Sequence, residues 1–176
     1  RGEVLFWRRP ARRVGGDRLW DEGGRGNDAF TCARLFWWFN MYSSVDVAVT
    51  PRPVYGAAGA KLPDIWTRPG DLREKLQEKF GDFPLFEFWG PRAGIGSTRW
   101  IVNATQFVLE ELQPTLLLTY LPHLDYDFQR HGPDHPRSRR ALGELDAEAG
   151  RLIAYARAQG CQVVVISEYG IQPVSG

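Results

Sequence analysis

The sequence holds little sulfur and little imidazole: two cysteines, one methionine and three histidines in 176 residues. Two cysteines cannot build a disulfide framework, which excludes the small stapled scaffolds. Cys32 and Cys161 both lie in apolar stretches and read as buried free thiols. No run of eighteen apolar residues occurs, which excludes a membrane-spanning helix, and no secretory leader is visible. A cytoplasmic protein without a membrane partner is therefore expected. Lysine is scarce too, three against nineteen arginines. The formal net charge is only +1, so a nucleic-acid polymer is not the expected partner. Five arginines fall within residues 1–13 opposite a single acid, Glu3, and read as a solvated terminal stretch.

What is present is an ordinary globular composition, 43% hydrophobic and 24% charged, enough to bury a core within one domain or a piece of one. "EVLFW" near the start reads as a short strand. The aromatic block at 30–42, "FTCARLFWWFNMY", predicts a buried strand, and the alternating "VDVAV" at 45–49 a half-buried one. Residues 50–70, rich in proline and glycine, predict an irregular loop. "DLREKLQEKF" at 71–80 predicts a surface helix capped by Asp71, and "RWIVNATQFVLEEL" a second, with Ile101, Ala104, Phe107, Val108 and Leu112 on one stripe. A continuous apolar run at 115–121 reads as a strand buried on both faces. A long amphipathic helix follows at 138–160, with Leu142, Leu145, Ala149, Leu152, Ile153 and Ala156 inward and Gly160 as its stop. "QVVVIS" at 162–167 reads as another buried strand. Strand, helix, strand of this kind is a βαβ unit, so the expected fold is α/β, a mostly parallel sheet flanked by helices.

Ligands gather beyond the carboxyl ends of such strands. After the first of them comes "YLPHLDYDFQRHGPDH", residues 120–135, which holds every histidine of the chain (His123, His131, His135) beside Asp125, Asp127 and Asp134. After the second comes "SEYG". Carboxylate oxygen and imidazole nitrogen together suit Zn, Mn or Fe better than Ca. Asp125 and Glu168 stand closest to their strand ends, so a divalent ion between them is the expectation, while His123, His131, His135 and Asp127 are either further donors or solvated loop residues. "GPRAGIGS" at 90–97 lacks the lysine and the spacing of a phosphate-cradling loop and reads as a turn. "LFWWFN" and "FEFWG" read as core rather than as a base-stacking platform.

The pair "YLPHLDYDFQRHGP" and "VVVISEYGI" resembles the alkaline phosphatase superfamily, in particular its nucleotide pyrophosphatase/phosphodiesterase branch. "FTCARLFWWFNMYSS" and "TPRPVYGAAGAKLPDIW" resemble a bacterial subgroup of that branch, so the likeness runs through most of the chain. In that family a strand leads into Asp-x-x-x-His before Gly-Pro, and a later strand into Ser-Asp-His-Gly. Alignment on Gly132-Pro133 places the first Asp on Asp125 and its His on Gln129. Alignment on Ser167 and Gly170 places the second Asp on Glu168 and its His on Tyr169. The resemblance implies a two-metal hydrolase of phosphate esters, with Zn, Mn or Fe as cofactor, a small phosphorylated substrate as partner, and a threonine nucleophile. It further implies that residues 1–176 are part of a single α/β domain, truncated at both ends. The nucleophilic threonine is expected upstream. Thr50, in "VTPRPVYG", mimics the nucleophile stretch but lies downstream of the expected position. The isolated chain is therefore expected to be inactive. Loss of two imidazoles leaves a second reading open, a non-catalytic domain binding a phosphorylated ligand or partner, and a third in which the polar strand ends are incidental.

Overall fold

A computed structural model describes residues 13–57 and 60–173. The expected strand in "EVLFW" and most of the arginine-rich stretch lie outside the described residues. In chain order the elements are α1 (Leu19–Gly24), β1 (Cys32–Leu35), β2 (Val47–Pro51), β3 (Val54–Tyr55), β4 (Lys61–Leu62), β5 (Ile65–Arg68), α2 (Leu72–Phe80), α3 (Leu85–Phe88), α4 (Ile95–Leu112), β6 (Leu116–Thr119), α5 (Leu124–His131) and α6 (Pro136–Ala158). Four strands form one sheet in the order β5-β2-β1-β6. β1 runs parallel to both β2 and β6, and β5 is antiparallel to β2. The α/β class with a mostly parallel sheet flanked by helices is therefore what the chain adopts.

One face of the sheet carries the main core. Ala33, Leu35, Val47, Val49 and Ile65 point from the strands toward Leu72 and Leu76 of α2, Leu85 and Phe88 of α3, and Trp100, Ile101, Ala104 and Val108 of α4. The apolar spacing of α2 and α4 is what directs these side chains to one stripe. The opposite face is thinner: Cys32, Val45 and Ala48 pack with Trp20 of α1, Phe30, Trp66 and Leu116. Arg34 is buried there, its guanidinium 4.1 Å from the centre of the Trp20 ring. Burial lowers its pKa to about 10.

Several boundaries differ from the sequence expectations, each for a physical reason. The strand expected over 30–42 stops at Leu35, because Phe36, Phe39 and Tyr42 all adopt left-handed backbone, with φ of 56°, 53° and 54°. Bulky residues take that region only where the surroundings hold them. Here buried Asn40 does so, donating to the carbonyls of Arg34 at 2.9 Å and Val49 at 3.1 Å. The strand expected at 45–49 is shifted to Val47–Pro51 and is buried on both faces rather than half-buried. The loop expected over 50–70 contains the β3–β4 ribbon and the edge strand β5. Asp71 precedes α2 but makes no side-chain cap; it pairs with Lys75 at 2.7 Å instead. On α4 and α6, Leu112 and Leu142 are exposed rather than inward. Cys161 is only half-buried, and both thiols are free.

The largest correction concerns residues 162–167. They follow Gly160, which ends α6 as expected in a positive-φ conformation (79°), but they pair with no strand, and Val164, Val165 and Ile166 are 76–83% exposed. β6 in turn is half-buried rather than buried and hydrogen-bonds β1 alone. A strand exists only with a partner, and the β-branched run finds none among the described residues. Unpaired edges of this kind are templates for self-association.

Helix α6 packs on α4 and α5. Glu148 holds the α4 contact: it accepts from Arg99 of α4 at 3.0 Å and from Arg151 at 2.8 Å, and Arg151 also reaches Gln106 (2.7 Å) and Asn103 (2.9 Å). Burial works to raise the Glu148 carboxyl, but the hydrogen bonds from Arg151 and Arg99 outweigh it and hold the pKa below the usual glutamate value. A depressed folded pKa gives stabilisation that is complete above the unfolded value of about 4.3 and is lost as pH falls through the folded one. Glu148→Gln is expected to cost about 1 kcal/mol at pH 7, the upper end for exposed pairs. Urea denaturation of both proteins at falling pH should show the difference closing as pH falls through the depressed pKa of the wild-type carboxyl.

Candidate active site

β6 delivers the chain to the carboxyl edge of the sheet, where the Tyr120 amide still donates to the Leu35 carbonyl at 3.2 Å. Pro122 and His123 then turn the backbone into α5, and the Asp125 amide donates to the Pro122 carbonyl. Asp125 therefore sits, half-buried, in the first turn of α5, where the free amides and dipole of a helix start favour a carboxylate. Gly132, with φ 80°, closes α5, and buried Ser138 of α6 donates to the Gly132 carbonyl at 2.7 Å and to that of Asp127 at 3.2 Å. This joint turns α6 back along the sheet and returns residues 167–169 to the same edge.

The two loops meet. The Tyr169 hydroxyl donates to Asp125 Oδ1 at 2.5 Å. The Tyr120 phenol is pushed up to about 12, first by burial and then by the negative charges of Asp125 and Glu168. The hydrogen bond to Asp125, followed by burial and the Asp125 charge, raises the Tyr169 phenol as well. Both phenols are thus protonated at physiological pH, Tyr169 as donor to Asp125, while Glu168 lies exposed on the return segment. The part played by Tyr120 was not singled out from the sequence, although its place as the residue just past an apolar strand run was the signal for it.

The other candidates fall elsewhere. Gln129, one turn beyond Asp125 on α5, is exposed. Asp127 pairs with Arg130 at 3.1 Å, and Arg130 donates to the Gly90 carbonyl at 2.7 Å. His131 and His135 stack on each other with centroids 4.8 Å apart, and His135 Nδ1 accepts from the Arg137 amide, capping α6. His123 is buried, with Nε2 3.5 Å from Glu144 Oε2 and no hydrogen bond to it. His131 and His135 therefore lie at the joint between α5 and α6 and His123 at the start of α5, not in one cluster. Thr50 is wholly enclosed on β2, two strands from β6, and offers no accessible nucleophile. A cavity of about 660 Å³ lined by Arg52, Tyr55, Asp64, Trp66 and Arg73 lies by β5, at the far edge from β6.

Two carboxylates suit a divalent cation in charge and donor type, but a pair is fewer ligands than an ion needs. Among the described residues no group of three or more His, Cys, Asp or Glu gathers to hold a metal. Nor does any helix among them have the length and apolarity to cross a membrane. In comparison with known proteins, the family model for type I phosphodiesterase/nucleotide pyrophosphatase matches residues 1–176. No curated protein and no solved structure matches. The fold and the match over residues 1–176 agree: the chain belongs to the type I phosphodiesterase/nucleotide pyrophosphatase family of the alkaline phosphatase superfamily, whose members hydrolyse phosphodiester and pyrophosphate bonds and generally depend on metal.

Proposed function

We propose that this chain supplies the carboxylate edge of a divalent-metal site, zinc first and manganese or iron as alternatives, in a hydrolase acting on a small phosphodiester or pyrophosphate. The observation that carries the proposal is the 2.5 Å hydrogen bond from Tyr169 to Asp125, which holds the segment after α6 against the segment after β6. Asp125 and Glu168 would hold the ion, with Gln129 and Tyr169 beside them and the remaining ligands and the nucleophilic threonine supplied from outside these residues. When bound, such an ion supplies Lewis-acid stabilisation to phosphoryl oxygens. The chain's own contribution is the placing of the Asp125 carboxylate at a helix start, with Glu168 on the return segment and the neutral Tyr120 phenol near both. Pocket shape, not these residues, selects among phosphate esters.

The alternative, a domain that binds a phosphorylated ligand or partner without turning it over, is favoured by one feature. The positions aligned with imidazole ligands carry a neutral amide, Gln129, and a phenol that already spends its proton on Asp125. Full-length protein assayed on bis(nitrophenyl) phosphate separates the two. The hydrolase reading expects turnover that chelator removes and added zinc restores, with the purified 176-residue chain inactive. Full-length protein that binds inorganic phosphate but hydrolyses nothing would decide for the binder.

A further inference from the structure

The cavity beside β5 has no part in the candidate active site, which lies at the opposite edge of the sheet beyond β6. Its volume, about 660 Å³, is that of a small-molecule pocket, for which roughly 300–1,000 Å³ is usual. Its lining joins two guanidiniums, Arg52 and Arg73, to two aromatic rings, Tyr55 and Trp66.

Three parts of the chain build it. The Arg52 amide donates to the Asp64 carbonyl at 2.8 Å, which closes the base of the β3–β4 ribbon. The ribbon contributes Tyr55, and β5 contributes Trp66, backed by the Tyr42 ring at 5.8 Å between centroids. Arg73 enters from the first turn of α2. The two arginines are held differently. Asp64 Oδ1 accepts from the Ile65 amide and from Arg73 Nε, both at 2.8 Å. That contact fixes Arg73 through Nε alone and leaves its terminal nitrogens without a hydrogen bond among the described residues. Arg52 makes neither a side-chain hydrogen bond nor an ion pair among them. One carboxylate against two guanidiniums leaves a positive charge uncompensated. Guanidinium N–H groups match the oxygens of a carboxylate or phosphoryl group. The volume exceeds what a bare oxyanion fills, and the aromatic walls suit a planar apolar remainder. A purely structural role would need the Arg73–Asp64 pair but has no use for Arg52.

We propose that this cavity is a second binding site, for a small oxyanion attached to an aromatic ring. The anion sits between Arg52 and Arg73, and the ring lies against Tyr55 and Trp66. The inference does not rest on the metal reading of the other edge. Full-length protein, stripped of metal by chelator, is titrated calorimetrically with phenylphosphonate, benzoate and ring-less methylphosphonate. Arg52→Gln, Arg73→Gln and Asp125→Ala are titrated alongside, with folding checked by circular dichroism. Wild type and Asp125→Ala are expected to bind a ring-bearing anion equally, and the tighter of the two identifies the head group. Each arginine variant should bind at least about tenfold more weakly, the weight of a hydrogen bond to a charged group. Arg52 is exposed and holds no partner, so its variant tests the site without disturbing the fold. Methylphosphonate should bind at least about threefold more weakly than phenylphosphonate, since it forgoes the ring contacts. No binding of either ring-bearing anion by the wild type, or undiminished binding by Arg52→Gln, overturns the site. Binding lost in Asp125→Ala overturns it too, by placing the ligand at the other edge. Methylphosphonate binding as tightly as phenylphosphonate overturns the role given to the rings.

Discussion

Asp125→Ala in the full-length protein is expected to lower kcat/KM on a phosphodiester by at least about a hundredfold. Loss of a partner one step removed from a metal costs about 10–100-fold in affinity or activity, and a direct ligand, the role proposed for Asp125, would cost no less than the top of that range. The position magnifies the effect. Asp125 stands in the first turn of α5, and of the two carboxylates it is the one tied to both converging loops, through its place after β6 and through the Tyr169 hydroxyl. Its removal strips the edge of one negative charge and leaves Glu168, on the unpaired return segment, to act alone. Asp127→Asn is the internal control. Two residues away on the same helix, Asp127 pairs with Arg130 instead of receiving the Tyr169 hydroxyl, so activity should stay within about twofold, as surface changes away from a site do. Half-buried Asp125 supports no core residue, and thermal unfolding of the alanine variant should be near that of the wild type. If Asp125→Ala were as active as Asp127→Asn, the catalytic reading of this edge would fall.

The same residues show how far the sequence could be read. Helices α2, α4 and α6 were legible because a period near 3.6 is a local property: Leu72 and Leu76, or Ile101, Ala104 and Val108, announce a buried stripe whatever the chain packs against. Gly160 was legible for the same reason, since a positive φ is needed just where α6 stops. Strands depend on partners, and there local reading failed. "QVVVIS" has the composition of a central strand yet lies unpaired, and "LFWWFN" has strand propensity yet is bent into left-handed turns by the two hydrogen bonds of Asn40. At the site, the segments after residues 121 and 167 do meet, as the expected topology has them, but 162–167 pairs with no strand and it is the Tyr169–Asp125 hydrogen bond that joins the two. The fate of the histidines did not follow from that topology. A window that concentrates three imidazoles carries no signal separating metal ligands from joint residues, and here the His131–His135 stack lies at the turn between α5 and α6 while the buried His123 stands at the start of α5.

The largest effect on stability is expected from Phe83→Ala, a loss of about 3–5 kcal/mol, as for other large-to-alanine changes in filled cores. Phe83 is fully buried, and three rings close on it: Phe36 at 4.7 Å, Trp100 at 5.2 Å and Phe88 at 5.3 Å between centroids. These rings come from four separate parts of the chain: the turn after β1, the segment between α2 and α3, and helices α3 and α4. Truncation therefore opens a cavity that no single element can fill by shifting, and forfeits one tilted and two edge-to-face ring contacts worth about 0.5–1.5 kcal/mol per pair beyond area burial. Against a typical domain stability of about 5–15 kcal/mol the loss is a third or more of a mid-range value. Urea denaturation followed by far-ultraviolet circular dichroism measures it. Phe83→Leu, which keeps most of the volume, should cost less than about half as much. The site feels this cluster only through the backbone: Phe36 follows Leu35, whose carbonyl accepts from the Tyr120 amide at the edge where Asp125 lies. A loss under about 1.5 kcal/mol for Phe83→Ala would mean that the rings leave the space only loosely filled, and that the sheet is held to its helices chiefly by the aliphatic contacts of Leu72, Leu76, Ile101 and Val108.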